Sequence, residues 1–230
     1  KKGAPVHLIP DEILYTQGLV IEKYETFDWG WKTLWNEGAM AKNVIRINAS
    51  IEPTGKMSGE AQIASFDYAR LSREGSAKGG KEKYIAKYVS ESNTNLTVDN
   101  VEFENLESDS LPLLQKIKFS QTMNTAGDYN YFSANVLTGL EKNPFVADNR
   151  LSDVFFGYNQ KVEIYGNYRL PDGYQFDELP KNIKMIMPDT SVVITRIAQV
   201  TENLLQTKID VEFRKPVFGA DEYPDLQEFY

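Results

Sequence analysis

The sequence predicts a mainly β fold of the α+β class: an antiparallel β-sandwich with a short helical insertion and a short C-terminal helix. Three observations predict it. A chain of 230 residues with 41% hydrophobic and 12% aromatic content is long and apolar enough to bury a sizeable core. From Asn43 onward, segments of alternating apolar and polar residues are bounded by Gly, Asn, Asp and Pro. Beyond residue 96 no helical pattern separates successive strands, which implies two packed antiparallel sheets rather than a parallel α/β sheet.

Residues 1–42 place Pro5, Pro10, Gly18, Gly30 and Gly38 between short apolar pieces such as LVIEKY (19–24), which reads as an extended arm with turns. The arm holds all three tryptophans, and its pattern is too irregular to bury them alone. Leu19, Val20, Ile21 and the indoles therefore need a partner. The arm is expected to fold back onto the sandwich; strand addition to a sheet edge of another copy is the hazard.

The sandwich domain is expected over 43–230. NVIRINASI alternates Val44, Arg46 and Asn48 against Ile45, Ile47 and Ala49, EPTGKMSG makes a turn, and EAQIASF continues the hairpin. Around Tyr68 the period shifts toward 3.6: Tyr68 and Leu71 share a helical face, with Ala64 a turn earlier and Arg70 and Arg73 elsewhere on the surface. After SAKGG, KEKYIAKYVSES sets Tyr84, Ile85, Tyr88 and Val89 opposite Lys83 and Lys87, a second helix. Strands are then expected at 96–105, 113–123, 129–137, 160–170, 183–187, 191–200 and 204–215. The tail ADEYPDLQEFY spaces Tyr223, Leu226, Phe229 and Tyr230 as a helix, with Pro224 near the start where a helix tolerates it.

Composition excludes several kinds of chemistry. Net charge is −8 and the cations are interspersed with acids, so no basic face is offered to nucleic acid or anionic lipid. No apolar run is long enough to span a bilayer. The chain has no cysteine, which removes thiolate nucleophiles, disulfides and thiolate metal sites. Its single histidine, His7, lies in the Pro-bracketed arm without a recognisable nucleophile and reads as a surface residue. No cofactor or metal site is expected. The acid clusters Glu102, Glu104, Glu107, Asp109 and Asp221, Glu222, Asp225, Glu228 contain no EF-hand-like loop, and Glu102 and Glu104 alternate with Val101 and Phe103 as a solvated strand face does. Trp29, Trp31 and Trp35 admit two readings. Indoles two residues apart on a strand share one side and suit a sugar platform, but buried aromatics that pin the arm to its neighbour are the commoner use.

Several stretches carry a family likeness. They are Asn143-Pro144-Phe145, Arg150, Phe155-Phe156, the run from Leu170-Pro171-Asp172-Gly173-Tyr174 to Leu179-Pro180, Gly55 and Gly59 with Ala69-Arg70, and HLIPDEILYTQGLVIE with Ile9-Pro10 where a Leu-Pro is usual. Together these resemble the C-terminal domain of unknown function that follows a transglutaminase-like core in exported proteins of some Gram-negative bacteria. The resemblance implies a periplasmic or exported accessory module, an upstream core as its partner, and a papain-like triad lying before Lys1; a protein or glycan is a further partner. No catalytic residue carries over. The motif residues read as architecture: Asn143-Pro144-Phe145 makes a turn whose Phe plugs the core, Arg150 pairs with a nearby acid or carbonyl, and Pro171-Asp172-Gly173 reverses the chain.

Overall fold

The computed structural model describes residues 5, 7–23, 27–36, 38, 40–90, 95–134, 136–137 and 143–229. Tyr24, Asn135 and Tyr230, which belong to expected elements, lie outside the described residues. The arm is more regular than its sequence suggests, since β1 (Gln17–Lys23) and β2 (Phe27–Thr33) pair antiparallel as a two-stranded ribbon. Ahead of the ribbon the chain docks on the body of the protein. Leu8 and Leu14 bury against Tyr68, the Tyr68 hydroxyl donates to Ile9 O at 3.0 Å, and Tyr158 stacks on Tyr68 at 4.6 Å.

The expected hairpin forms from β3 (Met40–Ile51) and β4 (Lys56–Phe66). Its turn is tighter than the eight residues the sequence suggests: Gly55 N donates to Glu52 O at 3.0 Å, and β4 starts at the next residue. Gly55 has φ +78°, which only glycine adopts without strain. The helical insertion follows as α1 (Asp67–Lys78) and α2 (Lys81–Ile85), the latter running into a π-helical turn at Ala86–Ser90. Tyr84 and Val89 are buried as their spacing predicts. Arg70 and Arg73, expected on the surface, are buried as well. Each finds polar partners that the helix cannot reveal: Arg70 donates to Leu106 O and Leu111 O, both at 3.1 Å, while Arg73 Nη1 donates to the Tyr84 hydroxyl at 2.8 Å and lies over the Tyr88 ring at 4.7 Å.

Next come β5 (Leu96–Glu104), β6 (Leu113–Thr122), β7 (Asn124–Ala126) and β8 (Tyr129–Tyr131). The strand expected over 129–137 is thus confined to three residues, because Gly127 at φ +59° closes a small β7–β8 hairpin. Beyond it Phe132 packs beside Tyr168 at 5.2 Å, and Val136 and Leu137 enter the core outside any ladder. The remaining strands are β9 (Val154–Phe155), β10 (Asn159–Arg169), β11 (Ile183–Ile186), β12 (Val192–Thr201), β13 (Leu204–Phe213) and β14 (Val217–Phe218), before α3 (Tyr223–Phe229).

The fold is mainly β and sandwich-like, with one large mixed sheet and three two-stranded ones among the described residues. The large sheet has the order β11-β12-β13-β10-β3-β4-β6-β5. Every neighbouring pair in it is antiparallel except β3 and β10, which run parallel in the middle. One face of this sheet is apolar. Ile45, Ile47, Ile63, Ile117, Phe119, Ile164, Tyr168 and Ile209 form it, and α2, Phe132, Ala134, Val136, Leu137, the β9–β14 ribbon and α3 cover it. The opposite face carries Lys116, Glu104, Lys161 and Glu163, as expected of a solvated sheet surface.

The motif residues sit where the core closes. Asn143 Oδ1 accepts from Phe145 N at 2.8 Å across Pro144, and Asn143 Nδ2 donates to Gln227 O at 2.9 Å, tying the turn to α3. Phe145 is buried, edge-on to Tyr223 and Phe156. Arg150 Nε donates to Ser152 O at 3.0 Å, and its guanidinium lies 5.9 Å from the Tyr223 ring centre. At Pro171-Asp172-Gly173, Tyr174 N donates to Pro171 O at 3.3 Å, with Gly173 at φ +83°.

An ion cluster joins the β11–β12 turn to the C-terminal segment. Lys215 pairs with Asp189 at 2.9 Å and with Glu222. Desolvation acts to raise the Asp189 pKa, but hydrogen bonds from Ser191 Oγ and N and from Lys215 outweigh it and bring the carboxyl down to about 2 from 3.8. A depressed carboxyl pKa stabilises the fold fully above its unfolded value and loses that contribution as pH falls through the folded one. The melting temperature of wild type should therefore exceed that of Asp189→Asn at neutral pH, and thermal melts should show the gap closing as pH drops from about 4 to about 2.

Candidate functional site

The residues weighed above for catalysis or metal binding lie in ordinary surface surroundings. His7 is exposed, with Nε2 3.1 Å from Asp67 Oδ1. Glu104 pairs with Lys116 at 2.6 Å, Glu107 with Lys78 at 3.6 Å and Glu222 with Lys215. Asp109, Asp221, Asp225 and Glu228 are exposed, and Glu102 accepts from Asn100 Nδ2 at 2.9 Å. Among the described residues no group of three His, Cys, Asp or Glu could hold a metal ion, and no helix is long and apolar enough to cross a membrane.

The tryptophans divide into two kinds. Trp35 is half-buried against Tyr15, with ring centres 4.8 Å apart, and Tyr15 meets Phe155 edge-on at 5.6 Å. This aromatic stack holds the base of the ribbon to the body. Trp29 and Trp31 are out in solvent, 70% and 65% exposed. The ribbon register sets Leu19 opposite Trp31 and Ile21 opposite Trp29, so strand alternation puts all four on one face. Leu19 and Ile21 are also exposed, at 49% and 65%.

The local sequence explains the arrangement. Alternate positions facing the other way carry Gly18 opposite Lys32 and Val20 opposite Gly30, so the ribbon has one bulky apolar side and one slight side. At the base, a Cβ on Gly18 would stand 2.8 Å from Leu34 Cδ2, a contact that a shift of the flexible Leu34 side chain relieves. A two-stranded ribbon buries too little to be stable alone. The cross-strand pairs Leu19–Trp31 and Ile21–Trp29 line up along one side of it, and that face lies in solvent, open to a partner.

The motif residues Asn143, Pro144, Phe145, Arg150, Pro171 and Gly173 take part in turns and packing remote from this face. Spacing within β2 was enough to put Trp29 and Trp31 on one side; Leu19 and Ile21 joined them only through the ribbon register. No curated protein matches the chain. The family model described as a Domain of Unknown Function with solved-structure structure (DUF3858) matches residues 128–230, the stretch from β8 to α3 that includes the Asn143-Pro144-Phe145 and Pro171-Asp172-Gly173 turns.

Proposed function

We propose that the chain is a non-catalytic accessory module of an exported, periplasmic transglutaminase-like protein, and that it docks on the core of that protein through the tryptophan ribbon. The observation that carries this reading is the contiguous face of Leu19, Ile21, Trp29 and Trp31, four large apolar side chains left in solvent on one side of a two-stranded ribbon. Such a face is what an aromatic-anchored protein interface looks like before its partner arrives. The parentage rests on the resemblance of the turn motifs, and the absence of cysteine fits it, since transglutaminase-like acyl transfer needs a thiolate that this chain lacks. The alternative use of the same indoles, as a sugar-binding or adhesion platform, is disfavoured by their neighbours. Leu19 and Ile21 offer a sugar no hydrogen bonds.

The double variant Trp29→Ser/Trp31→Ser should leave the stability of this chain within about 0.5 kcal/mol of wild type, because both side chains are exposed. In the intact parent protein the same pair should lower the melting temperature. Tryptophan emission should also be blue-shifted in the parent relative to this chain. The coding sequence upstream of Lys1 should carry the triad Cys, His and Asp, and the purified chain should turn over neither peptide nor amine-donor substrates. Equal emission in parent and fragment, with no effect of the double variant on the parent, would refute the docking role. Turnover by the chain abolished by His7→Ala would refute the non-catalytic one.

A further inference from the structure

The open face of the large sheet carries a second surface, independent of the ribbon. Parallel strand pairs are ordinarily covered on both faces, yet β3 and β10 are covered on one only. Asparagine is disfavoured in strands, yet Asn48 and Asn167 stand side by side in these two central strands, with Gln206 of β13 next in the row. Their amides form a chain across three strands, about 10 Å wide at ordinary strand spacing. Gln206 Nε2 donates to Asn167 Oδ1 at 3.4 Å, and Asn167 Nδ2 donates to Asn48 Oδ1 at 2.9 Å. Among the described residues Asn48 Nδ2 and Gln206 Oε1 have no partner, which leaves a free donor at one end of the chain and a free acceptor at the other.

This row lies in a shallow depression of about 430 Å³, edged by Ser50, Ser58 and Arg169. The nearby cations are engaged: Arg169 Nη1 donates to Asn203 Oδ1 at 3.3 Å, and Arg46 and Lys208 lie over the Tyr165 ring at 5.6 and 5.8 Å. Glu60 of β4 lies opposite Asn48 in the β3–β4 pair. Arg169, at the edge, is the one charged side chain among the lining residues, and the centre of the depression presents paired neutral donors and acceptors. Elsewhere the face carries charges that pair with one another, such as Lys116 with Glu104, so its chemistry changes at the amide row.

We propose that this depression binds an uncharged oligosaccharide, whose hydroxyls both donate and accept and so match the two ends of the amide chain and the serine hydroxyls at its edge. The probes are maltohexaose, cellohexaose, xylohexaose and chitohexaose, with hexagalacturonic acid as the charged control and an unstructured polar peptide as the alternative occupant. Calorimetric titration and saturation-transfer NMR read binding. At least one neutral sugar should bind, and Asn48→Ala/Asn167→Ala should weaken it by about tenfold or more, the equivalent of one or two hydrogen bonds, with the thermal melt confirming a folded variant. Trp29→Ser/Trp31→Ser should leave binding unchanged, so failure of ribbon docking and failure of this site are separable. The proposal is overturned if no neutral sugar binds, if only the acid or the peptide does, or if affinity survives the amide variant and is lost in the tryptophan one.

Discussion

Gly59→Ala should be among the most destabilising single-methyl additions in this protein, lowering stability by about 3 kcal/mol. Gly59 lies opposite Ala49 in the β3–β4 hairpin, and a Cβ there would stand 2.4 Å from Asn48 O and 2.8 Å from Ala49 Cα. Backbone atoms held by ladder hydrogen bonds cannot swing aside as a flexible side chain does. Either the strands separate locally or the pairing is lost. For a chain of this size the loss corresponds to a fall of about 6 to 12 °C in melting temperature. Gly75→Ala is the control. Gly75 lies within α1 with nothing inside 4 Å of the added methyl, so this variant should gain about 0.5 to 1 kcal/mol from helix propensity. If both variants lose stability alike, the strand clash is not the cause.

Gln115→Leu is expected to remove a similar amount, about 3 kcal/mol, by stripping a buried polar cluster of its hub. Gln115 is fully buried on β6. Its Oε1 accepts from the Tyr84 hydroxyl at 2.7 Å and from Arg73 Nη1 at 3.3 Å, and its Nε2 donates to Leu113 O at 2.6 Å and to Ser65 Oγ at 3.2 Å. Leucine fills much the same volume and satisfies none of these groups. Arg73 suffers most, being a buried cation with no carboxylate within ion-pair distance among the described residues. Burial raises the Tyr84 pKa despite the opposing influence of Arg73, so the phenol stays protonated and donating at neutral pH. Adding Arg73→Met to Gln115→Leu should recover part of the loss, since replacing both partners leaves fewer orphaned groups than replacing one. Urea denaturation of the two single variants and the double reads the coupling directly; strictly additive losses would show that the two side chains act separately.

The first prediction turns on a glycine that the sequence marked, the second on Gln115, which it did not mark, and on Arg73, which it placed on the surface. Gly55 and Gly59 were marked by the family resemblance, and the structure gives them different reasons: a positive φ at one, a backbone carbonyl in the way at the other. Arg70 and Arg73 were read as surface residues because helical periodicity treats every cation as solvent-seeking. Their burial depends on the carbonyls of Leu106 and Leu111 and on Gln115, 36 to 42 residues away along the chain. The ribbon was half legible. Alternation put Trp29 and Trp31 together, but the pairing with Leu19 and Ile21 needed a register that the irregular arm did not advertise. The amide row was missed altogether, for Asn48 and Asn167 lie 119 residues apart and nothing in either strand marks the other as its neighbour.

Periodicity of two and of 3.6, together with Gly, Pro and Asn at the turns, determined from the sequence alone that the chain is mainly β, where most strands run, and that a helical insertion and a terminal helix interrupt them. These are local properties, set by which side chains alternate and which backbone conformations a residue tolerates. Tertiary structure alone decided that β3 and β10 run parallel at the centre, that one sheet face stays open over them, that two arginines are buried, and that one face of the ribbon is left without a partner. Each of these is fixed by contacts between segments far apart in the chain, where cross-strand register chooses the neighbour and burial reflects the whole core. A local pattern records which side of a strand a residue occupies, but not what lies against it.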